Sequence, residues 1–361
     1  MIYRVIGAMS GSSLDGLDLA FTEFEEQGGK WSFETKAAAC YEYSDLWKEK
    51  LKNACSLSAR EHTLLHTEFG RYMGDRILEF MQENQLHYQV GLIASHGHTS
   101  FHIPEKGTSV QLGDGAAIAA KTGLPVVTDL RSIDVALGGQ GAPIVPVGEK
   151  YLLSGYQYFL NLGGIANISF LAGDKLLAFD ICPANRVLNM LASEKGKPYD
   201  EGGSMAALGK LDESLLAKLN ELEYYSRPHP KSLANDLGTD IIYPMIKSHS
   251  LSAEDGLRTY TEHIALQLRN ALLKLGQPAA VASMLVTGGG AFNDFLLKRI
   301  RQLLGEYGIE VKVPNAMLVS YKEAIIMGFI GVLRWRQEVN VLGSVTGARR
   351  DSIGGALWAG E

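Results

Sequence analysis

Cysteine is scarce in this chain: Cys40, Cys55 and Cys182 are the only three. They lie far apart and form no metal-binding spacing. Their odd number argues against a disulfide framework, so a reducing, cytoplasmic setting is expected. Basic runs are missing too. With 34 Lys and Arg against 40 Asp and Glu, the net charge is −6, which speaks against nucleic acid and against an acidic membrane surface as partners. The first apolar run reads as a strand and not as a signal peptide, so none is expected, and no apolar segment reads as long enough to span a bilayer. Two phosphate-binding signatures are also absent. There is no G-x-x-x-x-G-K-[ST], and no G-x-G-x-x-G sits between a strand and a helix. P-loop enzymes and Rossmann dehydrogenases are thereby excluded.

What the chain has is glycine, 40 residues of it, in a sequence of 361 that is 46% hydrophobic. That length is enough for two domains with substantial cores. The glycines cluster in short loops at the ends of apolar runs. The first cluster organises the rest. Ile2 to Ala8 leads in, Leu17 to Phe24 leads out, and Gly11-Ser12-Ser13-Leu14-Asp15-Gly16 lies between. The pattern predicts a β-hairpin whose turn offers backbone N–H groups and hydroxyls. Such a turn suits a polyanion, because successive N–H groups form a nest. Asp15 fits that reading if a magnesium ion lies between it and the phosphates. An ordinary Gly/Ser turn is the plainer alternative.

Further along, Trp31 to Tyr43 reads as a strand and Glu61 to Gln85 as an amphipathic helix. Short strands are expected at Val90 to Ala94, before Ser95-His96-Gly97-His98-Thr99, and at Pro125 to Thr128, before Asp129-Leu130-Arg131. A glycine loop follows at Gly138 to Pro143. The second half repeats the opening layout. Strands Tyr158 to Leu162 and Ile165 to Leu171 flank Gly163-Gly164, a turn falls at Gly173-Asp174, and Leu176 to Phe179 leads to Asp180. Helices are expected at Asn185 to Ala192, Thr259 to Leu275, Asp294 to Leu304 and Glu323 to Trp335. Gly288-Gly289-Gly290 sits between the strand Met284 to Val286 and the helix that starts at Asp294, a placement that favours phosphate or nucleotide. A domain boundary is expected near Tyr151.

Several residues carry competing readings. His96, His98 and His102 suggest a metal site but lack a matching carboxylate, so polar loop residues are the better reading. Asp129 and Asp134 flank Arg131; a surface ion pair is the plain alternative, but between a strand end and a glycine loop Arg131 reads better as a clamp on an anionic or polyhydroxylated ligand. Asp180 reads as a helix N-cap or as a general base. Glu323, three residues after Ser320, fits a capping box. Cys182 reads as inert packing. Two hairpin turns followed by a triple-glycine loop is also the order of the sugar kinase, Hsp70 and actin superfamily, an analogy of fold alone.

Taken together, the motifs resemble the anhydro-N-acetylmuramic acid kinase family over nearly the whole length. Met9-Ser10-Gly11-Ser12-Ser13-Leu14-Asp15-Gly16-Leu17-Asp18 is similar to M-S-G-T-S-x-D-G-x-D, and Ser95 to Thr99 to S-H-G-Q-T. The segments Gly138 to Pro143, Asn161 to Asn167, Gly288 to Asn293, Glu323-Ala324 and Ser344 to Ala348 follow in family order. The family's F-D-T-G-P-G-N reads here Phe179-Asp180-Ile181-Cys182-Pro183-Ala184-Asn185. His98 replaces the family Gln, and Cys182 and Ala184 replace two glycines, where they would narrow the room for a water beside Asp180.

The resemblance implies an α/β, two-domain actin-like ATPase (ribonuclease H-like) fold with a central nucleotide cleft. Residues 1–150, with 345–361, would carry the first phosphate hairpin and the substrate loops. Residues 151–344 would carry the second hairpin and the adenosine loop. The implied activity is an ATP-dependent kinase, with Mg²⁺, that opens 1,6-anhydro-N-acetylmuramic acid and phosphorylates O6. Asp180 would be its base. His96, Thr99, Asp129, Arg131, Gln140 and Glu323 would bind the amino sugar. Gly11, Ser12, Ser13, Leu14, Asp15, Gly16, Leu17 and Asp18, with Gly163, Gly164, Gly288, Gly289 and Gly290, would hold the nucleotide, and Asp15 the metal. A cytoplasmic homodimer is expected. The rivals are a kinase for another amino sugar without ring opening, an inactive ligand-binding relative, and a metal-dependent transferase using His96 and His98.

Overall fold

The computed structural model describes residues 1–172, 175–228, 231–233, 236–276 and 281–360; the turn expected at Gly173-Asp174 lies outside them. The chain divides into two compact units. One comprises Met1–Ser154 with Tyr321–Glu361, the other Gly155–Ser320.

The first unit is built on the hairpin at the chain start. Strand β1 (Ile2–Ser10) pairs antiparallel with β2 (Gly16–Gln27), with Ser10 facing Leu17 at the turn. Strand β3 (Lys30–Glu42) adds antiparallel to β2. The chain then crosses over through the helix Ala59–Glu83, which Ser58 and Glu61 open with a reciprocal capping box. Its Phe69, Met73, Ile77 and Phe80 recur at helical spacing and pack with Ile6, Leu19 and Phe21 of the sheet. Strand β4 (Leu92–Ile103) returns parallel to β1 on its other side. Strand β5 (Thr108–Leu112) folds back on the outer half of β4, and β6 (Val126–Thr128) runs parallel to its inner half. The strand Ala356–Trp358 closes the far edge.

Two expectations need correcting here. Ser95 to Thr99 is not a polar loop after a short strand, because β4 runs straight through it. Gly97, at φ 72°, supplies a bulge, and the ladder steps from Ala8–Ser95 to Ser10–His98 across it. A Cβ at Gly97 would lie 2.2 Å from the Leu112 carbonyl oxygen, so β5 comes too close for any other residue. Nor does Glu323 belong to a capping box. The helix spans Ala316–Trp335, and Asn315 caps it by accepting the N–H of Leu318 at 2.9 Å. By length and apolarity this helix also passes for a membrane span. Lys322 and Glu323 interrupt its apolar run, which hides that length in the sequence. Its Ile325, Phe329, Ile330 and Val332 are buried side chains of the core. The helix meets β1 backbone to backbone, since a Cβ at Gly7 would lie 1.8 Å from the carbonyl oxygen of Ala324.

The second unit repeats the sheet. Strands β7 (Tyr158–Leu162), β8 (Ile165–Ala172) and β9 (Lys175–Pro183) form an antiparallel meander. Strands β10 (Ala282–Thr287) and β11 (Ile309–Lys312) then add in parallel beside β7. The order β11-β10-β7-β8-β9 matches β6-β4-β1-β2-β3 strand for strand. Each unit is therefore a ribonuclease H-like ladder, with three antiparallel strands followed by two parallel ones. The helix Ala253–Leu275 packs on this sheet and on the helices Asn185–Ser193 and Asp294–Gly305.

Candidate active site

In the first unit the turn after β1 is held by one weak bond, Leu14 N–H to the Gly11 carbonyl at 3.3 Å, with Leu14 at φ 61°. Ser12, Ser13 and Asp15 are exposed. The N–H groups of Ser12 and Ser13 donate to no group among the described residues. Free adjacent N–H groups with hydroxyls beside them are what an anion nest requires.

Asp18, three residues on in β2, is the more distinctive carboxylate. Burial pushes its pKa from 3.8 up to about 6; the Cys40 thiol opposes the shift by hydrogen bonding, and the charges of Glu323 and Asp15 add to it. Three carboxylates thus crowd one region, and no ion pair joins any of them to a cation among the described residues. No group of three His, Cys, Asp or Glu there forms a closed metal cage. Magnesium on a nucleotide typically takes only one or two carboxylates, filling its shell with phosphate and water. Asp15 and Asp18 fit that requirement.

Glu323 also acts on Arg131. Burial lowers the guanidinium pKa to about 10, while Glu323 and Asp134 pull it back up, so it stays charged. Arg131 is anchored at two points. Its Nε–H donates to His96 Nε2 at 2.8 Å, and a second N–H donates to the Gly141 carbonyl. His96 is therefore an acceptor at Nε2, and its Nδ1–H donates to the Gly97 carbonyl at 2.9 Å. Burial, helped by the Arg131 charge, lowers the His96 pKa to about 3.

These contacts dispose of two sequence readings. Among the described residues no three His, Cys, Asp or Glu are grouped to hold a metal ion; His96 is engaged by Arg131, His98 by Ser10 at 3.0 Å and His102 by Ser109 at 3.1 Å. The aspartates flanking Arg131 form no surface ion pair with it. Asp134 is sealed from water, where it accepts the Gly141 N–H at 2.8 Å and the Thr346 hydroxyl at 2.6 Å. It ties the glycine loop to the C-terminal segment, and Gln140 N–H adds a bond to the Thr346 carbonyl at 2.8 Å. In the sequence Asp134 reads only as a neighbour of Arg131, and Thr346 only as part of the Ser344 to Ala348 segment. The only available signal was that both fall in or beside motif segments. Thr99 and Gln140 are exposed, and Asp129, at φ 55°, accepts from the Ser132 hydroxyl. None of these three forms a hydrogen bond with Arg131 among the described residues.

In the second unit the Gly163-Gly164 turn is fastened by its carbonyls. Gly164 O accepts Ala184 N–H at 2.8 Å and Gly163 O accepts Asn185 N–H at 3.0 Å. The N–H groups of Gly163 and Gly164 donate to nothing among the described residues, and a Cβ at either position would meet no atom closer than 3.4 Å. The turn thus leaves a bare surface of donors at the start of the helix Asn185–Ser193. Gly288, at φ 80°, and Gly290 pack onto the end of β7. A Cβ there would lie 2.5 Å from Asn161 Oδ1 and 2.6 Å from Leu162 Cβ respectively. Hence the triple-glycine loop lies against the strand that enters the turn.

Asp180 lies within β9, not beyond its end, and it caps no helix, because Ala184 holds the N-cap position. One carboxylate oxygen accepts the Leu233 N–H at 2.9 Å and the Ser232 hydroxyl at 3.3 Å. The other has no partner among the described residues. Burial raises its pKa, against the lowering effect of those bonds. Cys182 and Ala184 are sealed in the core of this unit. The side chains that replace the family glycines therefore take up core volume instead of solvent space near Asp180.

Two ribonuclease H-like ladders, each with a glycine turn between its first two strands, define an actin-like ATPase fold. A family model described as anhydro-N-acetylmuramic acid kinase matches residues 3–360. Proteins called anhydro-N-acetylmuramic acid kinase from Methylobacterium nodulans and Sulfurovum sp. (strain NBC37-1) are each 34% identical to this chain. The first match covers 98% of both chains, the second 98% of this chain and 99% of the relative. The chain belongs to the anhydro-N-acetylmuramic acid kinase family. Among solved structures, component A of the (R)-2-hydroxyglutaryl-CoA dehydratase of Acidaminococcus fermentans aligns over 91% of this chain and 97% of its own. It does so at a TM-score of 0.47 and 12% identity, too distant to add to the argument.

Proposed function

We propose that the protein is an ATP- and Mg²⁺-dependent kinase acting on 1,6-anhydro-N-acetylmuramic acid. Water adds at C1, the bond from C1 to O6 breaks, and O6 takes the γ-phosphoryl group, giving N-acetylmuramic acid 6-phosphate. The observation that carries this reading is Asp180, whose one free carboxylate oxygen and burial-raised pKa suit a general base. It takes a proton from the attacking water, while the Leu233 N–H keeps its other oxygen in place.

ATP supplies the phosphoryl group, and magnesium offsets its charge. The N–H groups of Ser12, Ser13, Gly163 and Gly164 bind phosphate oxygens, Gly288 to Gly290 back the adenosine, and Asp15 and Asp18 hold the metal. Arg131, fixed by His96 and Gly141, orients the sugar together with Thr99, Asp129, Gln140 and Glu323. The working form is a cytoplasmic homodimer.

A single turnover in oxygen-18 water tests the reaction. The product, weighed before C1 exchanges with solvent, should carry one labelled oxygen, at C1. Phosphorylated sugar without label would make the protein an ordinary sugar kinase.

A further inference from the structure

Where β1 and β4 pair, Ser10 faces His98 across the ladder. Three polar side chains meet there out of water: Ser10 is 2% exposed, Tyr43 3% and His98 6%. The Tyr43 hydroxyl donates to Ser10 Oγ at 2.7 Å, and Ser10 Oγ lies 3.0 Å from His98 Nδ1. These two contacts decide where the protons are. The Ser10 hydroxyl has one proton of its own, and its oxygen already accepts from Tyr43. The only acceptor for that proton among the described residues is His98 Nδ1. Nδ1 is therefore a lone pair, and the ring carries its hydrogen on Nε2. Burial lowers the His98 pKa to about 4, so the ring is neutral at working pH.

Nε2 has no hydrogen-bond partner among the described residues, yet it is not among the sealed polar atoms. A buried hydroxyl chain thus holds a neutral N–H donor in one tautomer and leaves that donor unused. Its position is informative. Ser10 ends β1 directly before the Gly11 to Asp15 turn, and two residues back along β4 His96 anchors Arg131. The donor is therefore tied to the residue that enters the phosphate turn and lies two residues along β4 from the Arg131 anchor. The family has Gln at this position, and a carboxamide N–H is likewise a neutral donor.

We propose that His98 donates through Nε2–H to an oxygen of the bound sugar, and that Ser10 and Tyr43 are positioning residues that keep the proton on Nε2. This rests on the sugar kinase reading above. A neutral donor discriminates little by charge, which suits a hydroxyl or ring oxygen better than a phosphate.

Two measurements test it. In protein labelled with ¹⁵N-histidine, long-range ¹H–¹⁵N correlation should show His98 as the Nε2–H tautomer. The Nε2 signal should shift when sugar is added without ATP. In kinetics, His98→Leu should raise the sugar KM roughly tenfold, the effect of one lost hydrogen bond, with the ATP KM unchanged. His98→Gln should restore the sugar KM to within about threefold of wild type. Tyr43→Phe should let the Nδ1–H tautomer appear. An Nδ1–H signal in the wild type, an unchanged sugar KM in His98→Leu, or a change in ATP KM instead would overturn the proposal. Should His98→Leu not fold, His98→Gln and the spectra still decide. Failure of the kinase reading itself looks different: wild-type protein would neither bind nor phosphorylate the sugar.

Discussion

Arg131 donates its Nε–H to Nε2 of His96 at 2.8 Å, so a buried neutral histidine orients the cation at the proposed sugar site. Lysine has no second donor in a fixed plane with which to engage both His96 and the Gly141 carbonyl. Arg131→Lys should lower kcat/KM for the sugar by about 10–100-fold, the loss expected of a charge-assisted pair. The ATP KM should hardly move. Steady-state kinetics with each substrate varied in turn checks this, and equal losses on both substrates would count against a sugar-directed role.

Asp180→Asn should lower kcat by about 10²–10⁴-fold, the usual contribution of a general base. Nucleotide affinity by calorimetry should stay near wild type. A variant retaining more than about a tenth of the wild-type rate would show that another group takes the proton.

Asp18 links function to pH. Its pKa is about 6 in the fold against an ordinary 3.8. A raised carboxylate pKa means the folded state holds the proton more tightly than the unfolded chain. The stability this provides is complete below 3.8 and is lost as pH rises through 6. Asp18→Asn, which cannot ionise, should therefore stabilise the fold at pH 8 by about 1–3 kcal/mol, with little effect at pH 4. The same variant should weaken magnesium–nucleotide binding, because the ionised form is the ligand. In the wild type that binding should fall as pH drops through 6, by at most about tenfold per pH unit. Melting curves and magnesium titrations at several pH values provide both readouts. A wild-type affinity that is flat between pH 5 and 8 would remove Asp18 from the metal site.

Lys322 and Glu149 form a sealed ion pair at 2.7 Å, with side chains 5% and 4% exposed. Lys322→Met removes the cation beside a buried carboxylate and should cost about 3–5 kcal/mol in urea unfolding. Adding Glu149→Gln should recover most of that loss, since it removes the buried charge. A single variant less than about 1 kcal/mol below wild type would mean that the ion pair contributes little to stability.

The parts of the fold legible in sequence were those written in periodicity. Phe69, Met73, Ile77 and Phe80 announce a helix, and alternation on both sides of Gly11 to Gly16 announces a hairpin. The same signal failed at Ser95 to Thr99, where two histidines and two hydroxyl residues look like a loop. The two histidines meet partners far away in the chain, Ser10 with His98 and Arg131 with His96. Asp134 is illegible for the same reason: next to Arg131 in sequence it suggests an ion pair as the plain alternative, yet it serves Thr346 and Gly141. The limits of the helix Ala316–Trp335 were hidden by Lys322, whose partner Glu149 lies on a distant segment. Asp180 was found through its motif. Its support from Ser232 and Leu233 comes from a segment with no pattern of its own.

The turn at Gly163-Gly164 spends its oxygens on Ala184 and Asn185 and keeps its hydrogens for whatever comes to it. It is therefore a surface that sorts by sign, welcoming an oxyanion and offering a cation nothing to hold. A magnesium ion arriving with a nucleotide can draw no ligand from this turn. Any protein oxygen for that ion has to come from outside the turn, so this glycine turn, alike in outline to the one after β1, differs from it in carrying no carboxylate of its own.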